Sequence, residues 1–372
     1  MPAAATVSAV LVGYDGPAEG LATAAASLRD QTLAPSQIVC VDQSVDGRFQ
    51  RRLSGVERVE VIRSGRNLGY SSACNLAARA AHGEYLLFLN SDAEADPDCV
   101  EQLVDALTRR PDAAVAGAQV LLPGRKRVNA GDNALHITGL SWAGRYGLPP
   151  EHGQPRSAAV VSGAALLVRR SAFIALEGYT EGFFMYYDDV DLAWRARLMG
   201  WQVLFCPSAN VVHEYEFVKG GYKWRYLERN RWWCLLAHLE ARTLVALAPL
   251  LLAVEAAILA RAAREGWLVA KLDGYRLLWS DRGALWARRR EVQRSRRIGD
   301  GPILAQMTGR VDSPFLASPA VRRAAPMLTM YHRLLCQLVG DGRPPNGLPS
   351  PAAADDAVSS GAAAPGSTAG TS

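Results

Sequence analysis

The chain is 372 residues long, 49% of its residues are hydrophobic, and its formal net charge is +5. This length and apolar content allow one large α/β domain with an appendage, and they exclude global disorder. Lys and Arg crowd the segment from Lys219 to Arg297, while the acids cluster in the first two-thirds of the chain. This asymmetry predicts a surface that meets the phosphates of a membrane or of a nucleic acid.

The cysteines argue against a zinc site, and the N-terminal sequence argues against a signal peptide. The six cysteines are scattered and none forms a Cys-x-x-Cys pair, so we predict no zinc site. Most of them are expected to be small buried hydrophobes in a reducing compartment. A strand pattern begins almost at once, with no basic region and apolar core before it, so we predict no signal peptide.

Strands and helices are predicted to alternate through the first third of the chain. β-Branched and apolar patterns predict strands over residues 6–12, 37–41, 58–62, 84–89 and 113–120. Helices are predicted over 18–31, over 71–81, and from an N-cap at Asp96 and a first-turn Pro97 to about residue 110. This order predicts an α/β fold with a Rossmann-like, mostly parallel sheet flanked by helices, which binds ligands at the carboxyl ends of its strands.

The rest of the chain is less regular. Residues 121–156 are rich in Gly, Pro and polar residues and predict a long flap, and residues 160–168 predict a further strand. Residues 223–239 are aromatic and basic, and residues 282–297 are strongly basic. From about residue 343 the Ala, Pro, Gly and Ser composition predicts disorder. We therefore predict a domain over 1–217, a helical, basic, membrane-associated region over 218–342, and a disordered tail over 343–372.

The apolar run over residues 243–260 is a candidate for contact with lipid. It is about 18 residues long, which is marginal for crossing a bilayer, and it contains Pro249 and Glu255. A carboxylate at the bilayer centre costs roughly 2.5–3.5 kcal/mol. These features favour a helix that is buried or lies in the membrane interface over one that spans it. The neighbouring tryptophans and basic residues suit a membrane surface better than nucleic acid, for which the sequence has no recognised module.

Asp92 is the first candidate for chemistry, because it closely follows the predicted strand 84–89. A carboxylate at that edge of a sheet points into the ligand crevice, and it suits Mg²⁺ or Mn²⁺ bridging to a diphosphate. The alternative is a turn or capping role. The predicted N-cap at Asp96 weakens that alternative.

Asp188, Asp189 and Asp191 open a predicted amphipathic helix. Acids in the first turn are stabilised by the helix dipole by roughly 0.3–1 kcal/mol each, which would be a purely structural role. The aromatic approach over 182–187 would instead desolvate the first acid or two and raise their pKa towards that of a general base. Three crowded carboxylates repel one another unless a metal, Arg195 or a substrate offsets the charge.

Weaker candidates lie at other strand ends. His213 ends an apolar strand and is either a metal ligand or, more commonly for a single His, a structural residue. Asp42 could accept hydrogen bonds from a nucleobase or a ribose, or form an Asx turn. Arg66 and Asn67 could contact phosphate, although exposure to solvent is the ordinary state of such residues.

Taken in order, these motifs resemble those of a family 2 glycosyltransferase, an inverting enzyme of the GT-A fold, over roughly residues 7–213. The first strand with Val12 and the Gly-Tyr turn at Tyr14 resembles the family's nucleotide-binding start. Val-Asp-Gln-Ser around Asp42 resembles its base-binding loop, and Arg66-Asn67-Leu-Gly-Tyr is a common family feature. Leu-Asn90-Ser91-Asp92-Ala resembles its D-x-D-type metal motif, which implies a metal at Asp92.

The later motifs imply the remaining roles. Asp-Asp-Val-Asp-Leu over 188–192 resembles the catalytic motif, usually Glu-Asp-Val-Asp-Leu, and makes Asp189 the expected base. The Val-x-His ending makes His213 an expected metal ligand. Three positions depart from the pattern without removing a required group: Asn90 replaces the first acid of the metal motif, Asp188 replaces Glu, and Gln43 replaces a smaller residue.

The resemblance implies transfer of a sugar, with inversion, from a nucleoside-diphosphate sugar such as dTDP-rhamnose to a hydroxyl of a saccharide or polyprenyl-diphosphate-linked acceptor. The chain most resembles bacterial rhamnosyltransferases of cell-surface polysaccharide assembly. The metal motif at Asp92 implies Mg²⁺ or Mn²⁺ as cofactor. Gly163 is expected near the donor sugar, and Asp188, Asp191 and Trp194 are expected to support the site or touch the acceptor.

We expect the protein to be cytoplasmic, peripheral on the inner face of the plasma membrane and without a nucleic-acid partner. A non-catalytic nucleotide-sugar binding module or membrane scaffold is the alternative, and the retained acids argue against it.

Overall fold

The computed structural model describes residues 5–213, 222–316, 318–340 and 350–351. Its strands are β1 (Val7–Gly13), β2 (Gln37–Asp42), β3 (Val59–Arg63), β4 (Tyr85–Leu89), β5 (Ala93–Ala95), β6 (Ala113–Leu121), β7 (Val128–Ala130), β8 (Asp132–Leu135), β9 (Ser141–Trp142), β10 (Arg156–Ser157), β11 (Val160–Val161), β12 (Ala165–Arg169) and β13 (Gln202–His213). Its helices are α1 (Ala18–Arg29), α2 (Arg48–Leu53), α3 (Tyr70–Ala80), α4 (Cys99–Arg109), α5 (Arg170–Ala175), α6 (Asp188–Leu198), α7 (Tyr222–His238), α8 (Ala241–Glu265), α9 (Leu268–Ser280), α10 (Arg282–Ser295), α11 (Asp300–Leu304) and α12 (Pro319–Val339). A 3-10 turn over Glu181–Phe183 precedes α6.

The main sheet of the described residues has the strand order β10–β13–β6–β12–β4–β1–β2–β3, with β5 beside β13 and β7 beside β6. β4, β1, β2 and β3 run parallel, as do β6 and β13. β12 runs antiparallel between β4 and β6. The predicted α/β fold with a mostly parallel sheet is therefore confirmed. Because β12 is antiparallel, its first residues lie at the same edge as the carboxyl end of β4.

Hydrophobic side chains fill both faces of this sheet. On β4, Leu86 and Phe88 face one core, while Tyr85, Leu87 and Leu89 face the other, as the two-residue period of a strand requires. α1 and α4 contribute to the second core, and α3, α6 and α7 to the first. Burial on both faces explains why β1, β2 and β4 are continuous apolar runs rather than alternating ones.

Two predicted elements differ from the structure. α4 begins at Cys99, and Asp96 is not its N-cap: the Asp96 carbonyl accepts the Cys99 amide at 3.0 Å, and the Asp96 carboxylate pairs with Arg125. The predicted strand over 160–168 divides into β11, which pairs with β8 in a small second sheet, and β12 in the main sheet. The break between them carries Gly163 out of the sheet and towards α6.

The predicted flap over 121–156 contains the short strands β7, β8 and β9 and the start of β10. The six cysteines are unpaired; five are buried and Cys336 is half-buried, which confirms their prediction as buried hydrophobes. Most of the predicted disordered tail lies outside the described residues. Ser350 and Pro351 are described: the Ser350 hydroxyl donates to the Pro111 carbonyl, and the Pro351 carbonyl accepts from Ser171.

The C-terminal helices pack on the side of the sheet that carries α6. α8 has 25 residues, exceeds the predicted apolar run at both ends and contains Pro249 within it. Among the helices in the described residues, α8 is the one that is long and apolar enough to cross a membrane. In its most apolar stretch of 18 residues, 28% of the residues are buried in the protein. The carboxylate of Glu255, in the middle of α8, turns towards α7 and α9 and accepts hydrogen bonds from Arg231, Lys271 and Tyr275.

Candidate active site

Asp92 and His213 meet at the carboxyl edge of the main sheet. β5 pairs antiparallel with the end of β13, with Ala93 opposite His213, so the residue before β5 is brought to the imidazole. Asp92 Oδ1 lies 2.9 Å from His213 Nε2, and Asn90 Nδ2 lies 3.4 Å from the same nitrogen. His213 is buried, Asp92 is exposed, and Ser91 between Asn90 and Asp92 is half-buried. A carboxylate oxygen and an imidazole nitrogen side by side are a donor set that suits a divalent cation such as Mn²⁺.

Asp189 is held by the backbone at the start of α6. Its Oδ2 accepts the Gly163 amide at 2.9 Å, and its Oδ1 accepts the Val190 amide at 2.8 Å. Burial raises the pKa of Asp189, and the two backbone hydrogen bonds oppose part of that rise. A carboxylate with a raised pKa and a fixed orientation has the properties of a general base.

The Asp92–His213 pair and Asp189 are joined through the break between β11 and β12. The Asn90 amide donates to the Ala164 carbonyl at 2.9 Å, and the amide of the preceding residue, Gly163, donates to Asp189. Two hydrogen bonds and one peptide step thus connect the loop that carries Asp92 to the first turn of α6. The structure brings Asp92, His213, Gly163 and Asp189 to one edge of the sheet.

Asp188 is buried beside Asp189, and the hydroxyl of Ser71 on α3 donates to it. Burial raises the pKa of Asp188 to about 8, against the hydrogen bond from Ser71, and the neighbouring charges of Asp189 and Asp191 add to the rise. Asp188 is therefore mostly protonated at neutral pH. This relieves the repulsion between the three acids that the sequence predicts.

Asp191 points away from Asp189 into the protein interior. Its Oδ2 accepts two hydrogen bonds from Arg195, at 2.6 and 2.9 Å, and one from Thr180 at 2.9 Å. Its Oδ1 lies 3.0 Å from Nε2 of His238 on α7. Burial opposes ionisation of Asp191, but Arg195 and His238 outweigh it and hold the pKa of Asp191 well below its usual range. Asp191 is thus a support residue of α6.

Two further features of this buried cluster are structural. Trp194 is buried and its ring lies 5.1 Å from that of His238, so it packs beneath the site and does not face an acceptor. The Cys234 sulfur lies within 4.8 Å of ligand atoms of Asp191 and His238. A cation at this cluster would sit beside Arg195, which already compensates the Asp191 charge, so we do not assign a metal there.

The chain before α6 is strained. Phe184, Tyr186 and Tyr187 each have a φ of 66°, in the left-handed half of the Ramachandran plot. Such residues cost about 1–3 kcal/mol each and persist where the surroundings impose them. One constraint is the start of α3: the Tyr70 amide donates to the Phe184 carbonyl at 2.6 Å, and a Cβ on Gly69 would come within 2.5 Å of that oxygen.

The predicted nucleotide-binding residues lie at the ends of β1, β2 and β3. Asp42 is fully buried; its Oδ1 accepts from the Ser44 amide at 2.8 Å and from the Ser44 hydroxyl, and its Oδ2 accepts the Gln50 amide at 2.9 Å. These bonds correspond to the turn alternative, and a nucleobase would reach the Asp42 carboxylate only if this loop opened. The Asn67 side chain likewise accepts the Gly69 amide at 2.9 Å. Tyr14 and Arg66 are exposed, and Val12 is buried on β1.

Sequence reasoning missed the residues that hold this site from a distance, namely Ser71, Thr180, Asn230 and His238. Asn230 donates from its side-chain amide to the carbonyls of Phe183, Met185 and Tyr186. Asn and His within the aromatic, basic pattern of α7 look like surface residues. The only signal in the sequence was that these polar residues do not follow the helical periodicity of a solvent-exposed face. That signal did not show which residues they would contact.

Comparison with known proteins identifies the family of this chain. The model of "Glycosyl transferase family 2" matches residues 8–176. An N-acetylglucosaminyl-diphospho-decaprenol L-rhamnosyltransferase of Mycobacterium tuberculosis is 30% identical over 213 residues, which are 50% of this chain and 69% of that protein. The rhamnosyltransferase WbbL of Escherichia coli K12 is 32% identical over 81 residues, which are 19% of this chain and 31% of that protein.

A solved structure supports the same fold. GalNAc-T7, crystallised with UDP, GalNAc and Mn²⁺, matches 65% of this chain and 49% of its own with a TM-score of 0.53 and 16% sequence identity. Together with the identity to the mycobacterial enzyme, the predicted motifs and the matched family model lead to one conclusion. This chain belongs to glycosyl transferase family 2, a family of sugar-transferring enzymes.

Proposed function

We propose that this protein transfers a sugar, with inversion at the anomeric carbon, from a nucleoside-diphosphate sugar to a hydroxyl of a saccharide or lipid-linked acceptor. The observation that carries the proposal is the connection of Asp189 to the Asp92–His213 pair through Gly163 and Ala164. In this proposal, the connection puts the base and the binding site for the donor's diphosphate at the same edge of the sheet. Because the mycobacterial and Escherichia coli relatives are named as rhamnosyltransferases, dTDP-rhamnose is the donor to test first.

Asp189 would act on the acceptor. Its carboxylate takes the proton of the acceptor hydroxyl, and that oxygen forms a bond to the anomeric carbon as the bond from this carbon to the diphosphate oxygen breaks. The nucleoside diphosphate leaves with the bonding electron pair. The amides of Gly163 and Val190 fix the carboxylate before the acceptor binds, which removes orientational entropy from the barrier.

Asp92 and His213 fit a divalent cation, Mg²⁺ or Mn²⁺, by donor type and by their separation of 2.9 Å. When bound, such a cation neutralises charge on the leaving diphosphate. His213 is buried and lies beside the side-chain amide of Asn90, which restricts the orientation of its ring. The carboxylate of Asp92 is exposed to solvent.

The test is Asp189→Asn with dTDP-rhamnose and other nucleoside-diphosphate sugars in the presence of Mn²⁺. The wild type should transfer sugar to an acceptor, and Asp189→Asn should lose transfer by about 10²-fold or more while its affinity for the donor stays within a few-fold. Asp98→Asn, an equivalent change next to α4, should behave as wild type. Full turnover by Asp189→Asn removes Asp189 as the base, and donor binding without transfer by the wild type favours a non-catalytic binding module.

We further propose that the protein reaches a lipid-linked acceptor by docking on an anionic membrane surface. α12 contains no Asp or Glu, has Arg322, Arg323 and Arg333 exposed, and also exposes Met330 and Leu334. Its Tyr331 hydroxyl donates to a carbonyl of α8, which exposes apolar side chains beside it. An apolar face flanked by arginines is typical of helices that lie in the membrane interface.

The docking proposal is tested by sedimentation with vesicles. The protein should sediment with vesicles that contain phosphatidylglycerol and much less with pure phosphatidylcholine. Met330→Ser with Leu334→Ser should weaken binding about tenfold, because two exposed apolar side chains lose their lipid contact. Ile174→Ser, which changes an exposed apolar residue on α5, should leave binding unchanged; equal loss in both variants, or no binding by the wild type, contradicts the proposal.

A further inference from the structure

We infer that Asn230 on α7 is a positioning residue that holds the strained segment 183–187 and thereby aims Asp189. The inference rests on the proposed function for its catalytic consequence, but its structural part can be tested without a substrate. α7 lies outside the residues that match the family model. The proposed base would then be oriented by a helix that the matched region does not include.

The hydrogen bonds of Asn230 are directed at one short stretch of backbone. Its Nδ2 lies 3.3 Å from the Phe183 carbonyl, 2.9 Å from the Met185 carbonyl and 2.8 Å from the Tyr186 carbonyl. Its Oδ1 accepts from Arg229 Nη1 at 2.8 Å, and the residue is fully buried. An amide nitrogen has two hydrogens, so the three carbonyls share them. A carboxylate of the same shape has no hydrogen to donate, so Asp in this place would face three carbonyl oxygens.

These carbonyls belong to residues whose backbone would not adopt this path by itself. The left-handed φ values of Phe184, Tyr186 and Tyr187 turn the carbonyls of 183, 185 and 186 towards α7. Tyr187 is the N-cap residue of α6, and Asp188 and Asp189 follow it directly. The conformation of 183–187 therefore sets where the Asp189 carboxylate points.

α7 holds this region at further points. Arg229 donates to the Gly182 carbonyl at 2.7 Å and is itself paired with Asp281, the residue between α9 and α10. Two turns further along α7, His238 lies against Asp191 within α6. The helix thus contacts the chain before the catalytic turn and the first turns after it. Among these contacts, Asn230 acts on the residues nearest to Asp189.

The inference is tested with Asn230→Asp and a matched control, Gln293→Glu. Gln293 is an amide of α10 that donates to the carbonyls of Ala237 and His238 at the other end of α7, so both variants replace an amide donor by a carboxylate against α7. A purely structural role predicts the same consequence in both variants: lower stability and an unchanged kcat per folded molecule. Positioning predicts that only Asn230→Asp lowers kcat, by about ten- to a hundredfold, since misplacing a reacting group by about 1 Å has that effect.

The readouts separate positioning from binding. The KM for the donor and the affinity for nucleoside diphosphate with Mn²⁺ should stay within about twofold in Asn230→Asp, because Asp92 and His213 are untouched. If Asn230→Asp does not fold, Asn230→Ser is used, which keeps one donor and should have an intermediate kcat. A kcat in the Asn230 variant equal to that of Gln293→Glu overturns the inference.

A second measurement needs no activity. Hydrogen exchange of the amides over residues 183–190 should be faster in Asn230→Asp than in wild type and in Gln293→Glu, while exchange in β1 and β4 stays the same. Unchanged exchange over 183–190 overturns the inference. Faster exchange in a protein whose wild type transfers no sugar leaves the structural role of Asn230 in place and rejects only the proposed function.

Discussion

Three carboxylates within one helical turn have three different environments. Asp188 is buried with a hydroxyl donor, Asp189 is held by two backbone amides, and Asp191 is buried against Arg195. Burial pushes the pKa of the first two upward, whereas Arg195 and His238 overcome burial for the third. Asp188 is therefore mostly protonated, Asp189 has a raised pKa, and Asp191 is ionised, so the three acids can lie close together without strong mutual repulsion.

The raised pKa of Asp188 gives a prediction for stability against pH. In the folded protein its pKa is about 8, above the ordinary value of 3.8, so folding favours the protonated form. Stability from this group is complete below about pH 4 and is lost as the pH rises towards 8. Asp188→Asn keeps an oxygen for the Ser71 hydroxyl but cannot ionise. The difference in unfolding free energy between Asp188→Asn and wild type should therefore grow in favour of the variant between pH 5 and 8, by a few kcal/mol.

Asp191→Asn is the opposite case and serves as the contrast. The pKa of Asp191 is lowered on folding, so its contribution is present above about pH 4. Its loss leaves Arg195 buried without a counter-charge, which costs about 3–5 kcal/mol. Urea unfolding at several pH values measures both variants. The assigned charge states would be contradicted if the difference in unfolding free energy between Asp188→Asn and wild type did not change with pH. They would also be contradicted if Asp191→Asn were as stable as wild type.

At the scale of elements, the contact between the start of α3 and the segment before α6 gives a further prediction. Gly69→Ala would bring a Cβ within 2.5 Å of the Phe184 carbonyl oxygen, with Gly69 at φ +81°. Gly55→Ala is the matched control, since Gly55 has φ +76° and no atom within 4 Å of the added Cβ. The control should lose about 1–2 kcal/mol from the left-handed backbone alone. Gly69→Ala should lose more and should also lower kcat; equal losses would show that the Phe184 contact has no energetic role.

Elements that depend on local pattern were predictable from the sequence, and those that depend on pairing were not. The apolar run of β4 and the acid-rich start of α6 were both predicted. The division of residues 160–168 was not predicted, because this stretch is apolar apart from Ser162 and Gly163. It is divided only because β11 pairs with β8 and β12 pairs with β4. The contacts of Asn230 were also beyond prediction, since its acceptors lie 44 to 47 positions earlier.

For the whole molecule, a buried ionic network joins three C-terminal helices. Glu228 and Arg231 of α7, Glu255 of α8 and Lys271 of α9 are paired with one another, and Lys271 is fully buried. These pairs form only when the helices pack together. From the sequence alone, Glu255 could therefore be recognised only as a charged residue within an apolar stretch. Two acids and two cations balance, which is the condition for burying them.

This balance predicts the effect of removing one acid. Glu255→Gln leaves Arg231 and Lys271 with a single carboxylate and should cost about 3–5 kcal/mol of unfolding free energy. Glu265→Gln, on the same helix but in an exposed pair with Arg261, should cost about 1 kcal/mol or less. Guanidinium unfolding of both variants measures the difference. Similar losses would mean that the network does not hold α8 in place.

The inward carboxylate of α8 also fixes how this helix can meet lipid. If α8 crossed a bilayer, Glu255 would lie among acyl chains, and Arg231 and Lys271 would keep only Glu228 as a partner. The proposed membrane contact would therefore use the outer face of α8, which exposes Val245 and Leu252. Arg231 also donates to the Thr138 carbonyl at 3.1 Å, and the next carbonyl, of Gly139, accepts the Tyr187 hydroxyl at 2.9 Å. A membrane bound at α8 would therefore be linked, through Arg231 and two neighbouring carbonyls, to Tyr187, the residue from which α6 starts.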